Sequence, residues 1–337
     1  MAGPTRIPTA SAWVGGLAMS SLIAVAAPAF AVTLGVDGTR FAIDGQPAFL
    51  LGFSYYGALG APEEFIRRDL DDLHALGFSW FRVWATWSGY QNPVSAVDEH
   101  GEPRPAFMAR LRRLIGEADQ RGMVVDVTLS RGADLPGQAA HLRAVEVLAE
   151  ALKPYRNLYF DLANERNIKD ARYVSFEELA ALRTRVKQVD PDRLATASHG
   201  GDLTRDDARS YLETAGVDFL APHRPRHADS PRETEAKVRE CLQWASEVGR
   251  AVPVHCQEPF RRGYSAWQPQ VEDFLADLRG AAAGGAAGWC FHNGGSRDDP
   301  NGRPRRSFDL RAEEGRLMSQ LDPVEREVVA QARGQIH

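Results

Sequence analysis

Lysine is scarce in this chain: of its 40 basic residues only Lys153, Lys169, Lys187 and Lys237 are lysines, and the rest are arginines. The formal charge is −5 over 337 residues and gathers in no block of one sign. That excludes the basic face that a nucleic-acid partner needs. Cysteine is equally sparse. Cys241, Cys256 and Cys290 are odd in number, so they cannot all pair within the chain, and a chain of this length needs no disulfide framework. Cys256 and Cys290 fall on neighbouring predicted strands, but alternation counted from Glu258 and Trp289 turns one inward and the other outward. Free, buried thiols are expected. No glycine-rich phosphate turn follows the first predicted strand, since Gly57-Ala58-Leu59-Gly60-Ala61 is not one, which argues against a doubly wound dinucleotide fold. Phe53-Ser54-Tyr55 lacks the His-x-His of the usual barrel metal site, so His223, His227, His255 and Glu258 do not assemble a zinc centre on sequence grounds. Asp298-Asp299-Pro300-Asn301-Gly302 lacks the regular oxygen spacing of a calcium loop. Neither a metal nor a cofactor is expected.

Residues 1–31 carry a single charge, Arg6, and an apolar segment from Ala12-Trp13-Val14 to Leu22-Ile23-Ala24-Val25. Gly15, Gly16, Ser20 and Ser21 interrupt it, leaving it short of the roughly 20 residues of a membrane span. Ala29-Phe30-Ala31 has the small-x-small form of a signal-peptidase site. The pattern predicts a signal peptide over 1–31 and one domain over 32–337, secreted or periplasmic, with no stable membrane insertion after cleavage.

The rest alternates strands with helices. Asp37-Gly38 and Asp44-Gly45 separate short runs that read as a small hairpin capping the bottom of a barrel. Strands are predicted at Phe49–Tyr56, Trp80–Trp84, Val124–Leu129, the stretch Leu158–Arg166 whose apolar run ends in Asn164-Glu165, Leu194–Ala197, Asp218–Ala221, Val252–Gln257 and Ala287–Phe291, with a helical pattern after each. Asp322-Pro323-Val324-Glu325 has the form of a capped N-terminus for an extra C-terminal helix. Eight such units without a break in composition predict an α/β fold of the (β/α)8 TIM-barrel type.

In a parallel barrel the strand ends share one face. That face would gather Tyr55 and Tyr56, Arg82 and Trp84, Asn164 and Glu165, His199, His223, Glu258 and Trp289. Aromatic faces stack on a pyranose, an amide and a guanidinium bond its hydroxyls, and two carboxyl groups can cut the acetal between rings. These residues carry a resemblance to the clan A glycoside hydrolases, most closely to glycoside hydrolase family 5, the cellulase and mannanase type. Asn164-Glu165 matches the pair that ends strand four in that clan, and Glu258 matches the lone glutamate after strand seven. Arg82, His223 and Trp289 match its arginine, histidine and tryptophan after strands two, six and eight. Three departures mark a divergent branch: Leu129-Ser130-Arg131 stands where the family commonly has a histidine, Arg166 replaces a proline, and Arg224-Pro225-Arg226 lacks the usual tyrosine.

The resemblance implies an exported, retaining glycosidase acting on a β-linked oligo- or polysaccharide, with Glu258 as nucleophile and Glu165 as acid/base. It further implies a raised pKa for Glu165, a normal or lowered one for Glu258, and carboxyl groups about 5–5.5 Å apart. Asn164, Arg82, His223, Trp289, Tyr55, Tyr56, Trp84 and His199 are then the candidate substrate-binding residues. The alternative reading is a non-catalytic glycan-binding TIM barrel.

Overall fold

The computed structural model describes residues 1–3, 32–292 and 308–336. Most of the predicted signal peptide, most of the polar loop after the last strand, and Asp298–Gly302 lie outside the described residues. Ala31–His337 form one compact unit. Its first strands, β1 (Leu34–Asp37), β2 (Arg40–Ile43) and β3 (Gln46–Ala48), make an antiparallel meander rather than a single hairpin, turning at Asp44-Gly45 where Asp44 takes φ 52° and Gly45 φ 77°.

The barrel follows: β4 (Leu50–Ser54), β5 (Trp80–Trp84), β6 (Val124–Thr128), β7 (Leu158–Asp161), β8 (Ala195–Thr196), β9 (His199–Gly200), β10 (Pro222–His223), β11 (His255–Cys256) and β12 (Gly288–Phe291). One parallel sheet runs β11-β12-β4-β5-β6-β7-β8, and β9 pairs with β10 beside it. The ring closes through thinner contacts. Asp218 N–H donates to the Ala195 carbonyl at 2.9 Å, Leu220 N–H to Pro253 at 2.9 Å, and His255 N–H to Leu220 at 2.8 Å. The predicted sixth strand, Asp218–Ala221, therefore pairs by single bonds, while regular pairing falls just beyond it.

The helices are α1 (Glu63–Ala75), α2 (Pro105–Asp119), α3 (Gly137–Leu152), α4 (Phe176–Val189), α5 (Arg205–Arg209), α6 (Ser230–Glu247), α7 (Val271–Gly284), α8 (Leu317–Gln320) and α9 (Pro323–Gln331). Each long helix buries a stripe at helical spacing, as with Ile66, Leu70 and Leu73 on α1 or Leu111, Leu114, Ile115 and Ala118 on α2. Ser175 with Glu178 and Asp322 with Glu325 form capping boxes that start α4 and α9. Among the described residues no helix is long and apolar enough to cross a membrane.

Alternation along the strands sorts side chains into two cores. Leu51, Phe53, Phe81, Val83, Val125, Val127 and Phe160 face the helices. Leu50, Trp80, Val124, Tyr159, Phe219, Ala287 and Cys290 fill the barrel interior, and Phe41 of the meander plugs it from below. The Phe41 ring lies edge-on to Phe219 at 5.0 Å and to His255 at 5.2 Å. Above this apolar floor sits a polar layer of Arg82, Asp126, Thr128 and Asp161, all fully buried, with Arg82 level with Asp126 and Thr128 level with Asp161 across the strands. The mouth lies one step higher.

The three cysteines are free and buried. The two on neighbouring strands face opposite ways, as expected, but in the reverse order to that counted from Glu258 and Trp289. Cys290 joins the interior core while Cys256 packs among helix-facing residues. Regular strand ends at Cys256, so alternation counted back from Glu258 crosses an irregular step and comes out one residue off.

Candidate active site

Glu258 is 6% exposed and held from three sides. Tyr56 donates its hydroxyl to Oε2 at 2.7 Å, Arg82 donates Nη1 to the same oxygen, and Arg226 donates Nη2 to Oε1 at 2.6 Å. Burial opposes ionisation, but the positive charges of His292, His223, Arg82 and Arg226 outweigh it and hold the carboxyl well below its ordinary value. Burial also drives His292 itself down to about 3, so at neutral pH His292 adds no charge and the effect falls to the other cations, Arg82 and Arg226 among them. The Tyr56 hydroxyl is pushed up by burial and by Glu258, and so stays a donor.

Arg82 reaches Glu258 from beneath. It is fully buried and also bonds Thr128 at 2.9 Å, Asp161 at 2.6 Å and the Asn164 Oδ1 at 2.9 Å, and it pairs with Asp126 at 3.1 Å. One guanidinium fork thus fixes the nucleophile candidate, the amide beside Glu165 and two interior acids. It positions other groups and offers no face to a substrate, so the expectation that Arg82 binds substrate is corrected. With its carbonyl oxygen committed to Arg82, Asn164 has its amide donors left for a ligand.

Glu165 follows β7 on a turn where it takes φ 46°, a left-handed conformation that costs a non-glycine residue on the order of 1 kcal/mol. Its N–H donates to the Ser198 hydroxyl at 3.0 Å. Arg172 donates to Oε2 at 2.7 Å, His223 Nδ1 lies 3.4 Å from Oε1, and Arg226 Nη2 lies 3.5 Å from Oε1. Burial would raise the Glu165 pKa, yet the His223 hydrogen bond and the charges of His223 and Arg226 bring it down to about 2. The expected raised value is therefore not found in the free protein. The cause lies first in His223, which the resemblance did supply, and then in Arg226, which it did not.

Glu165, His223 and Glu258 each bring one ligand atom within 4.8 Å of the others. A divalent cation would find acceptors there, but it would have to displace Arg82 and Arg226 from Glu258. The pair lines a cavity of about 600 Å³ with Tyr56, Trp84, Asn164, Arg172, His223, Arg226, Arg261, Tyr264 and His292. A second hollow of about 620 Å³, lined by Trp84, Trp87, Tyr90, Arg131 and Arg172, shares Trp84 and Arg172 with it. The two make one groove across the mouth.

Three expected site residues sit elsewhere. Trp289 is fully buried and points out of the barrel, donating its indole N–H to Asp277 of α7 at 2.6 Å. Tyr55 likewise faces outward and donates to Asp69 of α1 at 3.0 Å. In both cases the side chain follows the regular alternation of its strand, and the mouth position falls to an inward residue further on: Tyr56 beyond β4, and His292, one inward step past Cys290, beyond β12. His199 is held between Tyr211 at 3.3 Å and Asn167 at 3.2 Å, away from the cavity lining, and burial pushes it down to about 4. Arg166, in place of the proline, turns toward the helices: its guanidinium lies 3.7 Å over the Phe176 ring of α4 and donates to Val174 at 2.7 Å.

Sequence reasoning missed Arg172, Arg226, Arg261, Tyr264 and His292. Arg226 stood in a segment noticed only for lacking a tyrosine. His292 had a usable signal, as the first polar residue after an apolar strand. Arg172 and Arg261 reach the mouth along irregular loops, where no periodicity tells which way a side chain turns.

This closed barrel, with a carboxylate pair at its C-terminal rim, has the fold of the glycoside hydrolases, family 5 and its mannanases included. A putative glycoside hydrolase from Bacteroides vulgatus superposes with a TM-score of 0.67 at 15% identity, over 90% of this chain and 60% of that one. The endo-1,4-β-D-mannanase of Thermotoga petrophila superposes at 0.57 and 14% identity, over 85% and 99%. A family 5 mannosidase from Rhizomucor miehei gives 0.57 and 14%, over 90% and 97%. The chain spans only 60% to 65% of the length of several of the structures it matches. No protein-family model and no curated protein matches the sequence. The likeness is one of fold.

Proposed function

We propose that the protein is a retaining glycoside hydrolase acting on a β-linked oligo- or polysaccharide. The observation that carries this is the pair of rim carboxylates, Glu165 and Glu258, whose oxygens approach within 4.8 Å. So close an approach favours a double displacement, which wants carboxyl groups about 5–5.5 Å apart, over a single displacement at about 6.5–9.5 Å. Glu258, kept ionised by Arg82 and Arg226, attacks the anomeric carbon, and the bond to the leaving oxygen breaks as Glu165 delivers a proton to it. Water then attacks the glycosyl-enzyme and gives its proton to Glu165, which returns both groups to their first state. Asn164 bonds a sugar hydroxyl next to the anomeric centre. Since Glu165 is ionised in the free protein, it takes up its proton as substrate enters and the arginines are drawn off. The same reading includes export with cleavage after Ala31, which N-terminal sequencing of the secreted form at Val32 tests.

A second reading is favoured by one observation. Arg226 lies between the two carboxylates, where the scissile bond of a substrate would sit. A barrel that binds glycans without cleaving them could keep such an arginine. Turnover separates the two readings: the protein is assayed on β-linked polysaccharides and aryl glycosides beside Glu165→Gln and Glu258→Gln. A hydrolase loses turnover in both variants, and azide restores it to Glu258→Ala as a glycosyl azide. Saturable glycan binding with no turnover, unchanged by either substitution, would establish the binding module instead.

A further inference from the structure

Where the barrel domain begins, three successive backbone N–H groups are fastened to it. Val32 donates to the Asp119 carboxylate at 2.8 Å, Thr33 to the Asp44 carboxylate at 2.8 Å, and Leu34 to the Arg156 carbonyl at 3.0 Å. Asp44 returns its own N–H to the Thr33 carbonyl at 2.9 Å. Among the described residues this anchoring starts at Val32, which directly follows the small-x-small motif Ala29-Phe30-Ala31. It fixes the entry to β1, and with it the meander whose Phe41 plugs the barrel.

The carboxylate that receives Val32 is poorly placed for an anion. Asp119 is the last residue of α2, where the free carbonyls and the helix dipole both favour positive charge. Among the described residues no basic side chain pairs with it. Arg121, two residues on, pairs with Asp71 and Glu117, and Arg156, whose carbonyl takes the Leu34 N–H, pairs with Asp190. Its charged neighbour is Asp44, of the same sign. Burial, with Asp44 adding to it, raises the Asp119 pKa, and the Val32 N–H opposes this only as a neutral donor. A cation is what the position lacks.

We infer that the cation partner of Asp119 is the α-ammonium of Val32, freed when the chain is cut after Ala31, so that removing the leader completes an ion pair beneath the barrel. The inference rests on the export and cleavage included in the reading above, and not on the glycosidase chemistry. Hydrolysis of the peptide bond gives the oxygen of water to the Ala31 carbonyl carbon, which becomes a carboxylate. Both protons of that water go to the Val32 nitrogen, which becomes an ammonium. Thr33 and Leu34 hold this nitrogen in place, so at 2.8 Å from Asp119 a neutral donor is exchanged for a charged one. The titratable groups that face it are Asp119 at the end of α2 and Asp44 at the turn between β2 and β3. An uncut chain keeps a half-buried acid without a counter-charge; a cut one does not.

The full chain is expressed in an exporting host, and the secreted protein is sequenced from its N-terminus beside Asp119→Asn. Competitive acetylation then titrates the α-amine, with Lys153, Lys169, Lys187 and Lys237 as internal references. An unpaired α-amine titrates at about 7.7–8.0. The expected result is Val32 as first residue, with an α-amine midpoint of about 8.5 or above in the wild type and an ordinary one in Asp119→Asn. A raised value in the fold adds stability that is complete below about pH 8 and is lost as pH rises through it. The secreted protein should therefore melt higher than its α-acetylated form at pH 7, and the gap should close by about pH 10, a readout that does not need the variant to fold. An ordinary α-amine midpoint in the wild type, with no such gap, would overturn the inference and leave the cleavage reading intact. A chain that keeps its leader, or begins at another residue, would overturn both. Neither outcome touches the glycosidase reading, which turnover decides.

Discussion

Tyr55 and Tyr56 are neighbours in sequence and lie on opposite sides of the barrel wall. Tyr55 bonds Asp69 under α1, and Tyr56 bonds Glu258 in the mouth. The same division separates Trp289 from His292. Asp277, the partner of Trp289, is fully buried and pushed up to about 6 by burial, a shift that Thr234 and Trp289 oppose by donating to it. Trp289→Phe removes one of those donors from a buried acid. It should cost about 1–3 kcal/mol of stability and leave KM unchanged, read by denaturant unfolding and by steady-state kinetics. A raised KM with unchanged stability would instead restore Trp289 to the substrate site. Residue types alone gave the two glutamates, because each follows a short apolar run and the resemblance names both. They could not give Trp289, because one step of alternation decides whether a strand-end residue faces the mouth or the helices.

At the scale of elements, the strands that carry the site differ in how well they were legible. β5 coincides with the sequence-based bounds, since a strong apolar pattern marks it. The wall from β8 to β11 is built of two-residue ladders and single bonds, too short for a period to show. Arg226 and Arg261 come from the loops of that wall, as does one of the three departures from the family pattern, Arg224-Pro225-Arg226. The better-defined wall depends on a close approach at its base. Gly52 of β4 has no side chain, and a Cβ there would lie 2.0 Å from the Trp80 indole, which donates its N–H to the Leu50 carbonyl at 2.8 Å. Gly52→Ala should therefore lower thermal stability steeply, by more than the 1–3 kcal/mol usual for overpacking. The companion variant with Trp80→Phe should recover part of the loss. A Gly52→Ala protein that unfolds at the wild-type temperature would contradict this packing.

For the whole molecule, the closed barrel brings five arginine and histidine side chains (Arg82, Arg172, Arg226, His223 and His292) within 4 Å of the two glutamates. This concentration couples the site to the acid stability of the fold. Glu165 ionises at about 2 when folded against an ordinary value of 4.5, and Glu258 is also held low. A carboxyl whose folded pKa is depressed adds stability that is complete above its unfolded value and is lost as pH falls toward the folded one. The stability of the wild type should thus decline between about pH 4.5 and pH 2, and Glu165→Gln should flatten that decline, as urea melts across the range would show. The barrel itself was legible from sequence because eight strand–helix units repeat without interruption. The lowered ionisation of Glu258 was legible too, but that of Glu165 was not, since it depends on His223 closing on it together with Arg226 from a separate loop.

The central claim is that Glu258 makes a covalent bond to a sugar. Incubating the protein with activated 2-deoxy-2-fluoro glycosides, acidic and neutral, slows release of a glycosyl-enzyme and lets intact-mass and peptide analysis locate it. The account predicts a mass gain of one fluorosugar on the peptide carrying Glu258, present in the wild type and absent in Glu258→Gln. Hydrolysis that proceeds with no adduct and releases the inverted anomer, or an adduct on any other residue, would contradict it.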